Sequence, residues 1–255
     1  MNIVNFENIW TNSVSKCFKN ETRQVRPQMF QFTQKLLENL QKCPRRNVPN
    51  GQNENTKDIR KDLCKMNTIE LLSPVGDFDC LKAAVQAGAD CVYFGGNLFN
   101  ARASANNFND DELKKAIEYA KIRKVKTNLT LNVLIKNDEF MDAINLARKA
   151  YEYGVDAIIV QDLGLARKLI ELFPDLPIHA STQMTVHNLD GVLEAERLGF
   201  KRVVLSRELS MDEIKYICDN SNIEIEVFVH GALCICYSGQ CLLSSMIGGR
   251  SRKPW

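Results

Sequence analysis

Three cysteines fall within eight residues, at Cys234, Cys236 and Cys241, shortly after His230. Thiolates are soft donors that hold iron–sulfur clusters and zinc, and a histidine moves protons near neutral pH. The run Ile223–Val229 reads as a strand and stops at His230-Gly231, so these groups would sit just past a buried strand. Spacing alone leaves two readings open. The thiols are a ligand set, short of a complete quartet, or they are small buried hydrophobes, as free cysteine often is. His230 and Cys234 also have the types of a base and a nucleophile, although four residues of separation do not ensure contact. The metalloprotease phrase His-Glu-x-x-His and the nucleophile elbow Gly-x-Ser-x-Gly are both missing from the sequence.

Short apolar runs alternate with longer amphipathic stretches from Ile69 onward, and these must position the thiols. Strands are predicted at Ile69–Leu72, Cys91–Phe94, Thr127–Asn132, Ala157–Val160, Ile178–Ala180, Arg202–Leu205 and Ile223–Val229. Helices are predicted near Phe78–Ala87, Asp110–Arg123, Asp138–Tyr153, Leu163–Leu172, Leu189–Leu198 and Met211–Asp219. Asn109-Asp-Asp-Glu112 and Ser210-Met-Asp-Glu213 read as N-terminal caps, the second as a capping box, and Gly88, Gly154 and Gly199 close helices. About seven strand–helix units in strict alternation imply an α/β fold: a TIM-barrel-like parallel (β/α) barrel, incomplete by one unit.

Active sites of such barrels form at the C-terminal strand ends. Those ends carry Ser73, Gly95-Gly96, Asn132, Gln161-Asp162, Ser181-Thr-Gln183, Arg207-Glu208 and His230. Gln161 or Asp162 can equally cap the next helix, and Arg207 with Glu208 can be a structural pair. The loop Ala101–Phe108 offers Arg102 as an anion contact or as a solvated arginine. His179 reads as a buried histidine within its strand, and His187 as a surface residue.

Residues 1–65 differ in character. They are rich in Asn, Gln and Lys and hold 12 basic against 6 acidic residues, so their balance is +6 within a chain of net +2. They read as a basic, mostly irregular extension with one short helix over Met29–Leu40, either a solvated tail or an arm that touches RNA. The remaining domain, 66–255, is mildly acidic, and its overall charge does not announce a nucleic-acid binder. An odd count of nine cysteines, no secretory signal and no membrane-length apolar run lead to the expectation of a cytoplasmic protein with reduced thiols.

The segment Glu226–Ser244 resembles the signature of the collagenase-like peptidases, peptidase family U32. That pattern is Glu-x-Phe, two residues, Gly-Ala-Leu-Cys, four residues, then Gly-x-Cys-x-Leu-Ser. It is met at Glu226, Phe228, Gly231, Ala232, Leu233, Cys234, Gly239, Cys241, Leu243 and Ser244. The similarity continues upstream through Ile178-His-Ala-Ser-Thr-Gln183, Arg202-Val-Val-Leu-Ser-Arg207-Glu208 and Gly88-Ala-Asp90, and covers roughly Met66 to Ser251.

The resemblance implies more than the residues do. Better-understood members are oxygen-independent hydroxylation proteins acting on RNA bases or on a ubiquinone precursor. They carry a 4Fe-4S cluster on four cysteines and are linked to prephenate as hydroxyl source. Cys234 and Cys241 match two of those ligands, and Cys236 lies outside the signature but can make a third. His230, Glu226, Arg207 and Gln183 are the candidate catalytic residues. Gly248-Gly-Arg-Ser251 begins the family phrase that precedes the other two cysteines, and the sequence then departs from it at Arg252. On this reading the chain is C-terminally truncated, its cluster lost, partial or completed by another chain. The expectation is hydroxylation of tRNA or rRNA bases, or a remnant of that activity. The alternatives are a collagenase-like peptidase and a non-catalytic partner that associates with itself or a full-length homologue.

Overall fold

A computed structural model of the chain describes residues 69–101, 107–231 and 234–241. The extension over 1–65, its expected helix, Arg102 and the phrase Gly248–Ser251 lie outside the described residues.

The described elements run β1 (Leu72–Pro74), α1 (Phe78–Gln86), β2 (Cys91–Gly95), α2 (Asp110–Ile122), β3 (Lys126–Leu131), α3 (Phe140–Tyr153) and β4 (Ala157–Val160). There follow α4 (Leu163–Leu172), β5 (Ile178–Ala180), a 3₁₀ turn (Thr182–Met184), α5 (Leu189–Arg197), β6 (Arg202–Val204), α6 (Met211–Asn220) and β7 (Glu224–Glu226). The strands form one sheet in sequence order, every neighbouring pair parallel. A parallel pair needs a crossover, and each crossover here contains a helix. The sheet curls into an incomplete TIM-like barrel of seven strands.

Alternation along the strands separates two chemistries. Val92, Phe94, Leu129, Leu131, Ile158, Val160 and Ile178 join the main apolar cluster with the helices. α2 and α3 meet it through fully buried Ala116, Ala120, Ala143, Ala147 and Ala150, small residues at helical spacing that let helix and sheet approach closely. The intervening strand positions turn the other way and include buried Asn128, Thr130 and His179. His179 lies opposite Arg202 in the register. Arg202 in turn holds Glu224 at 2.7 Å and Glu226 at 3.3 Å across the β6–β7 ladder.

Local signals in the sequence act as expected. Asn109 and Ser210 both form complete capping boxes, with Glu112 and Glu213. Gly88, Gly154 and Gly199 all take positive φ, between 85° and 97°, a conformation that favours glycine at helix ends. Two strands are displaced or short. β1 starts at Leu72, where pairing with Cys91 begins, and β7 stops at Glu226 although the apolar run continues to Val229. The ladder follows the partner strand, because β6 offers only Arg202–Val204 for pairing. Among the described residues no helix is long and apolar enough to cross a membrane.

Leu129 is completely buried between sheet and helices. Leu129→Ala is expected to cost about 2–5 kcal/mol of stability, and Ser210→Ala at a surface cap about 1 kcal/mol. Urea unfolding of the two variants against the parent checks that order.

Candidate functional site

Three strand ends converge on one short loop. After β6, Leu205 and Ser206 stay buried and Arg207-Glu208 emerges. After β5, Ser181 caps the 3₁₀ turn that ends at Thr185. After β7, the chain returns to these two ends through 234–241, where all three clustered thiols lie.

Ser238 organises this meeting. It is 2% exposed, although its neighbours Tyr237 and Gln240 are exposed. Its hydroxyl accepts from the Arg207 backbone N–H at 3.1 Å and from Arg207 Nε at 3.3 Å, and donates to Glu208 Oε1 at 3.2 Å. Its own N–H donates to the same carboxylate oxygen at 2.8 Å, and its carbonyl accepts from Thr185 Oγ1 at 2.9 Å. The remaining nitrogens of Arg207 reach the carbonyls of Cys236 at 3.1 Å and Cys234 at 3.4 Å. Arg207 and Glu208 thus apply their polar groups to the thiol loop. Gly239 completes the turn at φ +75°, and a Cβ there would collide with the Gln183 carbonyl and the Thr185 hydroxyl.

Held in this way, the sulfurs of Cys234, Cys236 and Cys241 all lie within 4.8 Å of one another. Cys234 is exposed and the other two are half-buried. A cavity of about 330 Å³ beside them is lined by Arg207, Glu208, Cys234, Ile235, Cys236 and Tyr237. The Cys236 thiol is pushed above the ordinary thiol range, first by its hydrogen bond with Cys241, then by burial and by the adjoining Cys241 and Cys234 thiols. As a donor set the trio suits a soft metal or a metal cluster, and the described residues supply three thiols for it.

The other sequence-predicted residues are placed differently. Glu226 is 17% exposed and paired with Arg202 inside the β6–β7 ladder. Gln183 borders the site through its backbone, which contacts the turn at Gly239 and accepts from Gln161 Nε2 at 3.2 Å. His230 lies exposed on the bend after β7. Asp162 caps α4 through the Leu165 N–H at 2.8 Å, and Asn132 anchors the Ala101 N–H at 3.0 Å. Sequence reading missed Ser238. Tyr-Ser-Gly-Gln signals a turn, but no local pattern says that the turn packs on Arg207.

Two outcomes follow for the metal-free, reduced protein. Alkylation proceeds through the thiolate, so the Cys236 rate should rise with pH at a higher midpoint than an ordinary thiol. Cys241→Ala removes the leading cause and should lower that midpoint, as read by peptide mass spectrometry; an unchanged midpoint would contradict the hydrogen bond. Gly239→Ala imposes strain of about 1–3 kcal/mol at the turn. It should speed alkylation of Cys236 and Cys241 while the far-ultraviolet spectrum stays constant.

Comparison with known proteins finds relatives of one family. Residues 76–254 match the model of peptidase family U32. The chain is 40% identical over 184 residues to the 23S rRNA 5-hydroxycytidine C2501 synthase of Escherichia coli (strain K12), covering 72% of this chain and 27% of that protein. It is also 40% identical over 182 residues to tRNA hydroxylation protein P of the same organism, covering 71% of this chain and 40% of the relative. The chain therefore spans well under half the length of these two relatives. The solved U32 peptidase Mk0906 shares the fold at a TM-score of 0.55 and 15% identity, over 72% of this chain and 73% of that one. With the family model covering most of the barrel and its signature cysteines gathered at one lip, the chain is a member of peptidase family U32.

Proposed function

We propose that this chain serves oxygen-independent hydroxylation of a base in tRNA or rRNA, with Cys234 and Cys241 as ligands of an iron–sulfur cluster and prephenate as hydroxyl source. The observation that carries this reading is 40% identity, across the barrel, to one protein named for rRNA hydroxycytidine synthesis and another named for tRNA hydroxylation. The thiol loop at the strand ends supports it, since that lip is where barrel enzymes work. Donor chemistry fits the cluster: thiolates are its usual ligands, and Cys234 and Cys241 provide two of the four that a cubane takes.

When bound, such a cluster supplies one-electron chemistry. The chain's own residues do the positioning. Arg207 and Glu208 fix the loop that carries the thiols, and the Arg207 guanidinium brings positive charge close to them. Ile235 and Tyr237 stand exposed beside the cavity, offering an apolar edge and an aromatic face to an unstacked base. The same reading makes the protein cytoplasmic, where its RNA substrate is.

The family's peptidase description favours one rival, with Cys234 as nucleophile and His230 as base. A single experiment separates them. RNA from cells lacking the gene should lose a nucleoside that is one oxygen heavier than its parent, and re-expression should restore it. Cys234→Ala and Cys241→Ala should fail to restore it, and the anaerobically purified variants should lose iron and sulfide. Unchanged RNA, together with gelatin cleavage that needs Cys234 but no iron, would overturn the proposal in favour of the peptidase.

A further inference from the structure

Cys236 stands outside the family signature, yet its sulfur lies with those of Cys234 and Cys241, all three within 4.8 Å of one another. A tetrahedral ion bonded to sulfur at about 2.3 Å holds its ligand atoms about 3.8 Å apart. Side-chain shifts of about 1 Å or less would therefore close the trio on one ion. A four-iron cluster binds each thiolate to a different iron, so its ligand sulfurs stand wider apart than those on a single ion. The observed spacing is on the single-ion side.

The backbone that presents these thiols is already fixed. Arg207 bonds the carbonyls of Cys234 and Cys236, and buried Ser238 ties the segment between Cys236 and Cys241 to Arg207, Glu208 and Thr185. Little chain entropy remains to be lost when an ion arrives. Three thiolates around a divalent ion leave one net negative charge. The Arg207 guanidinium, which lines the same cavity as Cys234 and Cys236, offsets it.

We propose that Cys234, Cys236 and Cys241 form a three-thiolate site for one zinc-type cation, giving the protein a single-ion form that excludes the iron–sulfur form. The proposal goes beyond the hydroxylation reading and does not depend on it: the two share Cys234 and Cys241, but only the single-ion form needs Cys236.

The full chain, stripped of metal, reduced and kept free of iron, is titrated with Co²⁺ as a spectroscopic probe and then with Zn²⁺ against a chromophoric chelator. One ion per chain is expected, with tetrahedral d–d bands and sulfur-to-cobalt charge transfer of three-thiolate intensity. Cys236→Ser should cut that intensity by a third and weaken Zn²⁺ binding by at least about tenfold, the scale on which losing even an outer partner of a metal ligand is felt. Cys236→Ala gives the same reading should the serine variant fold poorly, and Cys218→Ser, on α6, should leave binding unchanged. Binding that ignores Cys236, or a cobalt spectrum without tetrahedral thiolate bands, overturns the proposal. These readouts involve no RNA, so a hydroxylated nucleoside that persists in cells lacking the gene, with intact three-thiolate binding, would reject only the hydroxylation reading. Its loss from those cells alongside Cys236-independent binding would reject only this inference.

Discussion

The bond between the end of β6 and a serine some thirty residues later holds the site together. Arg207 and Glu208 leave the sheet as adjacent residues of opposite charge and engage Ser238 from two sides. Hydrogen bonds to charged groups contribute about 1.5–3 kcal/mol each where solvent is largely excluded, and Ser238 is almost wholly buried. Removing Arg207 or Glu208 would strand the polar groups of buried Ser238, whereas those two side chains, half-buried and exposed, keep access to water. The thiols inherit this rigidity, because the same arginine also bonds the carbonyls of two of the three cysteines.

That clamp in turn needs the sheet to bring β5, β6 and the chain after β7 to one lip, which parallel order ensures. The helix-facing side of the strands is apolar, whereas the inner side carries Asn128, Thr130 and His179. Among the described residues, Asn128 Nδ2 and the Ser206 hydroxyl have no hydrogen-bond partner. An interior with this chemistry specifies less by close apolar packing than the helix-facing layer does. The layer of leucines, isoleucines and helix alanines carries the stability, and the polar interior is free to vary with function.

Much of this was legible beforehand, for identifiable reasons. Alternating apolar runs and cap phrases are local signals, so seven strands, six helices, the caps at Asn109 and Ser210 and the glycine helix end at Gly154 could be read directly. Strand ends were less legible, because pairing length depends on the neighbour: β7 stops with β6 although its own sequence continues apolar to Val229. The thiols were visible as spacing, and their approach to one another follows from the tight turn at Gly239. The roles of Arg207 and Ser238 were not legible, since nothing in either neighbourhood encodes a partner about thirty positions away.

The U32 signature divides physically into residues that pair in the sheet, a residue that shapes the turn and residues that carry the thiols. Glu226 adds a second carboxylate, beside Glu224, to an Arg202 only 13% exposed within the β6–β7 ladder. Gly239 is needed because a side chain there would strike the turn after β5. Cys234 and Cys241 bring their sulfurs to within 4.8 Å of each other. One short motif therefore encodes ladder charge, turn geometry and clustered thiols, and the first two fix where the thiols can be. Cys236 occupies a position that the signature leaves open, on a backbone already held by Arg207. A thiol there leaves the ladder pair of Glu226 and the turn at Gly239 untouched.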